Sequence, residues 1–91
     1  MAKATKKREV FTLVDPQARE VKLVGDFTTW EKEPIALKRH KDGLWKVTVP
    51  LSPGQYEYRF VVDGQWRDDN QCQVRRPNPF GALNCVREVS P

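Results

Sequence analysis

Between Tyr56 and Trp66 the chain reads Tyr-Glu-Tyr-Arg-Phe-Val-Val-Asp-Gly-Gln-Trp, and no other stretch restricts the fold as tightly. Tyr56, Tyr58, Phe60 and Val62 occupy alternate positions, with Glu57, Arg59 and Val61 between them. Aromatic and β-branched residues at a two-residue period predict a β-strand with one face in a core. Asp63-Gly64 predicts a tight hairpin turn, and Gln65-Trp66-Arg67 begins the return strand. One strand therefore sends aromatics inward, turns a cation outward, and is followed at once by an indole. An arginine beside an aromatic plane on a sheet surface is a candidate ligand site.

The remaining segments repeat the same grammar. Residues 9–14, 20–24, 44–49 and 83–89 each predict a short strand, and residues 35–39 predict an edge strand. Pro16, Gly25-Asp26, Asp42-Gly43 and Pro53-Gly54 punctuate them as turns. Residues 68–79 are polar, contain Pro77, and end at Pro79, which reads as a long irregular loop. No segment carries a helical pattern. About seven short antiparallel strands with regular turns predict an all-β sandwich. The expected core is Phe11, Leu13, Val21, Leu23, Val47, Tyr56, Tyr58, Phe60, Val62 and Val86, with Trp45 in it or at its edge.

Charge narrows the partners. Lys3, Lys6, Lys7 and Arg8 account for the whole net charge of +4, leaving a neutral body. The expected organisation is a disordered basic tail over residues 1–8 and a single β-sandwich domain over residues 9–91. A nucleic-acid domain should carry its cations on the folded surface, so no nucleic-acid partner is expected. No apolar run approaches the ~20 residues of a membrane span, and none follows the basic N-terminus as a secretory signal requires. The expected location is the cytoplasm, with no membrane partner.

Catalytic chemistry is hard to assemble from this inventory. His40 is the only histidine and sits in a predicted turn, so no Ser-His-Asp set exists. Asp68-Asp69 are adjacent, and neighbours on an extended chain face opposite ways. They read as solvated loop acids rather than two carboxylates flanking one bond. Cys72 and Cys85 with a single histidine make no zinc site. They read as free thiols unless the fold brings their Cα atoms within about 7 Å. The expectation is a binding module with no metal and no cofactor.

The order and spacing of several motifs resemble a known family. Gly25-Asp26-Phe27-Thr28-Thr29-Trp30, Asp42-Gly43-Leu44-Trp45, the run from Pro53 to Trp66, Asn78-Pro79-Phe80-Gly81 and Asn84 look like the family 48 carbohydrate-binding module. That module is the early-set domain of isoamylases and glycogen-branching enzymes, and the glycogen-binding domain of the AMP-activated kinase β subunit. The resemblance covers nearly the whole chain, from about residue 10 to residue 89. It implies an immunoglobulin-like (early-set) sandwich, in agreement with the periodicity, and binding of α-1,4-glucans such as glycogen, starch and maltooligosaccharides.

By the same resemblance, Trp30 and Trp66 fall on the family's two stacking tryptophans. Arg59 falls where a lysine commonly reaches sugar hydroxyls, Phe80 on a leucine that wedges into curved glucans, and Asn84 on a binding asparagine. The chain departs at Ala82, where some binders carry threonine, and at Thr28-Thr29, where asparagines are commoner. Structural alternatives stay open. Trp30 can be a lid and Trp66 a core residue; Arg59 can pair with Glu57 or a cross-strand acid; Asn84 can cap a turn. A second reading also stands: an early-set interaction module that has lost sugar binding and works with a separate protein, such as a glycogen-metabolising enzyme.

Overall fold

The structure is a computed structural model that describes residues 6–91. Its strands are β1 (Lys7–Val14), β2 (Val21–Gly25), β3 (Ile35–Ala36), β4 (Lys38–Arg39), β5 (Leu44–Leu51), β6 (Gly54–Val62), β7 (Gln65–Arg67), β8 (Arg75–Pro77) and β9 (Leu83–Val89). Three single 3-10 turns lie in the connections at residues 26–28, 30–32 and 41–43. Every strand pair is antiparallel. One sheet has the order β1-β5-β4; the other runs β3-β2-β6-β9-β8, with β7 also on β6. The chain is an all-β sandwich, as its periodicity predicts.

The two sheets meet through the residues that alternate inward. Phe11 of β1 lies edge-on to Tyr58 of β6, ring centroids 5.0 Å apart, and Tyr58 in turn to Phe60 at 6.0 Å. All three side chains are fully buried. Burying a side chain of this size contributes about 1.5–3 kcal/mol, and the edge-to-face pairs add to it. Trp45 is buried too, and its indole N–H donates to the Asp15 carbonyl at 3.0 Å. Arg87 crosses between sheets, its guanidinium 4.1 Å from the Phe11 ring centroid and its Nη1 3.1 Å from Glu9 Oε1.

Several expectations need correction. Lys7 and Arg8 belong to β1 and pair with Leu51 and Pro50; of the rest of the expected tail, Lys6 is exposed and residues 1–5 lie outside the described residues. Residues 35–39 are not one edge strand. β3 pairs with β2 and β4 with β5, so the chain changes sheets at buried Leu37. On β9 the core parity belongs to Cys85 and Val89, which are buried, while Val86 is only half-buried. Cys72 and Cys85 are not free thiols but a disulfide, with Cα atoms 5.9 Å apart. The predicted loop 68–79 contains β8, and of the two acids within it Asp68 is 39% exposed while Asp69 is not a solvated acid. Asp69 is buried and accepts the Tyr58 hydroxyl at 2.7 Å.

Candidate functional site

The outer face of β6 is the floor on which the site is assembled. Glu57 and Arg59 alternate with the buried Tyr58 and Phe60, so they point away from the interior. The turn after β6 places Asp63 and Gly64 at φ 50° and 82°, the left-handed pair of a two-residue hairpin. This sets β7 against β6 with Trp66 opposite Val61, on the same face as Arg59. Trp66 is 45% exposed. The Arg59 guanidinium carbon lies 5.2 Å from its ring centroid, within cation–π reach.

Arg59 is also fixed from its other side. Its Nε and Nη2 each lie 3.1 Å from Asp68 Oδ1, and Asp68 is shared with Arg75 Nη1 at 3.7 Å. The partner is therefore Asp68, the residue just beyond β7, rather than Glu57. Held between a carboxylate and an indole, the guanidinium loses little further freedom when a ligand arrives.

Trp30 reaches the same face from the β2–β3 connection. Buried Thr28 organises that loop: its hydroxyl oxygen accepts the Gly25 N–H at 2.9 Å and lies 2.8 Å from the Trp30 carbonyl. Thr29 and Trp30 both adopt positive φ, 52° and 55°. Left-handed backbone at non-glycine residues costs on the order of 1 kcal/mol each and collects at ligand-binding loops. Trp30 is half-buried, so it is neither sealed inside nor free.

The opposite wall is the β8–β9 connection. Phe80 stands at its tip, 92% exposed. Asn84, at the start of β9, is only 5% exposed. Its Nδ2 donates to Glu57 Oε1 at 3.1 Å and its Oδ1 accepts from Asn78 Nδ2 at 3.1 Å. Both ends of this amide are thus engaged within the chain.

Trp30, Arg59, Trp66, Phe80 and Asn84 line one recess of about 730 Å³, inside the range of small-ligand sites. Asp26, Glu31 and Glu57 add carboxylates to its lining, and Asp26 Oδ2 accepts the Glu57 N–H at 2.8 Å. Exposed ring faces beside charged donors and acceptors suit a ligand with apolar faces and a hydroxyl rim. Periodicity and motif spacing assign no role to the two supports, Asp68 and Asn78. Asn78-Pro79 is a recognisable turn dipeptide, but its side-chain bonds depend on β8 and β9 lying together. Glu57 shared the parity of Arg59 and was legible as a neighbour.

Comparison with known proteins gives a consistent result. The family described as "Glycogen recognition site of AMP-activated protein kinase" matches residues 10–91. The chain is 44% identical over 71 residues to phosphoglucan phosphatase LSF1, chloroplastic, of Arabidopsis thaliana, covering 77% of this chain and 12% of that protein. It is 35% identical over 79 residues to 1,4-alpha-glucan branching enzyme GlgB 1 of Clostridium perfringens strain 13, covering 85% and 11%. It is 40% identical over 52 residues to protein PTST homolog 2, chloroplastic, of Arabidopsis thaliana, covering 57% and 10%. The chain spans about a tenth of the length of the curated relatives it matches.

Proposed function

This chain belongs to the family of the glycogen recognition site of AMP-activated protein kinase, and from that premise we propose that it binds α-1,4-glucans by stacking sugar rings on Trp30 and Trp66. The observation that carries the reading is their meeting with Arg59 and Phe80 in one recess. An indole covers the C–H face of a pyranose and removes apolar area from water at about 25 cal/mol per Å². Two indoles on separate elements can follow the bend of an α-1,4 chain. Arg59 and the carboxylates of Glu31 and Glu57 then face the hydroxyl rim, where each net bond contributes only about 0.5–1.5 kcal/mol. A shallow site of this kind binds at roughly micromolar to millimolar strength. In this reading the module performs no chemistry, and in relatives named as enzymes it accounts for about a tenth of the protein.

A titration with maltoheptaose or β-cyclodextrin followed by tryptophan fluorescence tests the reading. Wild-type emission shifts or quenches on saturation. Trp66→Ala loses binding by roughly tenfold or more, given that 45% of its surface is open and that such anchors contribute 2 kcal/mol or above, while its circular dichroism is unchanged. Emission that does not respond to millimolar sugar removes the glucan reading.

A second reading, an interaction module working with a separate protein such as a glycogen-metabolising enzyme, is favoured by the outer face of the three-stranded sheet. Arg8, Lys38 and Lys46 are exposed there with Val10 and Val14. Lys38 pairs directly with Lys46, and none of the three cations makes an ion pair among the described residues. Like charges directly opposite destabilise a sheet. An acidic protein surface would relieve them, on the sheet that does not carry the recess.

A further inference from the structure

We propose that Asn78 is a positioning residue of the recess, holding the Phe80 finger by its backbone and tied to β6 through the side chain of Asn84. The proposal rests on the glucan reading above. Phe80 is almost wholly exposed, so no core contact fixes its ring. Its place is set by its loop alone.

Asn78 closes that loop from both ends of its side chain. Its Oδ1 accepts the N–H of Phe80 at 2.9 Å and of Ala82 at 3.1 Å. Its own N–H donates to the Ala82 carbonyl at 2.8 Å. Its Nδ2 donates to Asn84 Oδ1, and Asn84 Nδ2 donates to Glu57 Oε1, each at 3.1 Å. The Glu57 backbone N–H then donates to Asp26 Oδ2 at 2.8 Å, at the base of the Trp30 loop. A continuous series of bonds thus links the finger to the central strand and on to the opposite wall. An exposed ring contributes to affinity only where its position is settled before the ligand arrives.

The test is a double-mutant cycle on the full chain with β-cyclodextrin as probe. Asn78→Ala weakens binding roughly three- to tenfold, with a thermal midpoint close to wild type. In a Phe80→Ala background the same substitution has no further effect, because the finger no longer carries a ring. A loss from Asn78→Ala that persists in full without the Phe80 ring overturns the proposal, as does an Asn78→Ala variant that binds as tightly as wild type. A wild type that fails to bind removes the glucan reading itself, and this shows before any variant is compared.

Discussion

Tyr58 illustrates how one side chain serves core and loop together. Its ring sits between Phe11 and Phe60, while its hydroxyl donates to Asp69 Oδ2 at 2.7 Å. Burial, with the Asp69 carboxylate beside it, pushes the phenol well above its ordinary value of 10.0, so the hydroxyl stays protonated and able to donate. The ring was legible from the alternation; the hydroxyl's partner was not, because Asp69 lies outside any periodic segment. Asp69 Oδ1 is occupied by the Gln71 N–H at 3.0 Å, so Oδ2 depends on the tyrosine. Tyr58→Phe keeps the packing and leaves a buried carboxylate oxygen without its donor. The expected loss is about 1–3 kcal/mol, read as a lower urea midpoint at unchanged slope. A midpoint equal to wild type would mean that the hydroxyl adds nothing net.

Among the elements, the strands that carry apolar alternation were readable and those that do not were missed. β6 declares itself through Tyr58, Phe60 and Val62. β8, Arg-Arg-Pro, is exposed throughout and has no pattern of its own; it is a strand only because β9 is beside it. The break of residues 35–39 into β3 and β4 was hidden for a related reason: which sheet a short segment joins is decided by its neighbours. The disulfide acts on this same region. Cys72 precedes β8 and Cys85 lies on β9, 13 residues apart in sequence, so the bond closes the loop that carries the Phe80 finger. Closing a loop of that size constrains the unfolded chain by about 3 kcal/mol. Incubation with a dithiol reductant is expected to lower the unfolding free energy by about that amount, with Cys72→Ser matching the reduced wild type. Identical urea curves with and without reductant would mean that the thiols are not joined in solution.

At the scale of the molecule, the two sheets are tied at one end by Asp15. Its backbone N–H donates to the Gly43 carbonyl at 2.9 Å and its carbonyl accepts the Trp45 indole, both beside β5. Its side chain reaches the other sheet, where Arg67 Nη1 on β7 donates to Oδ2 at 3.0 Å. The backbone N–H groups of Gln17 and Ala18 donate to Oδ1, each at 3.1 Å. In the sequence Pro16 marks only a turn and nothing singles out Asp15, since its partners Gly43 and Arg67 lie 28 and 52 positions away. These donors, the Gln17 N–H foremost, hold the carboxyl below its ordinary value of 3.8 against a smaller opposing effect of burial. A carboxylate that stays ionised to lower pH when folded contributes stability that is complete above the unfolded value and is lost as pH falls through the folded one. Asp15→Asn, which cannot ionise, is therefore less stable than wild type at neutral pH. The difference narrows below about pH 4 as the wild-type carboxyl takes up its proton. Urea midpoints of both proteins across that range decide the matter: a gap that stays constant into strong acid would assign the effect to lost packing and not to the charge that joins the sheets.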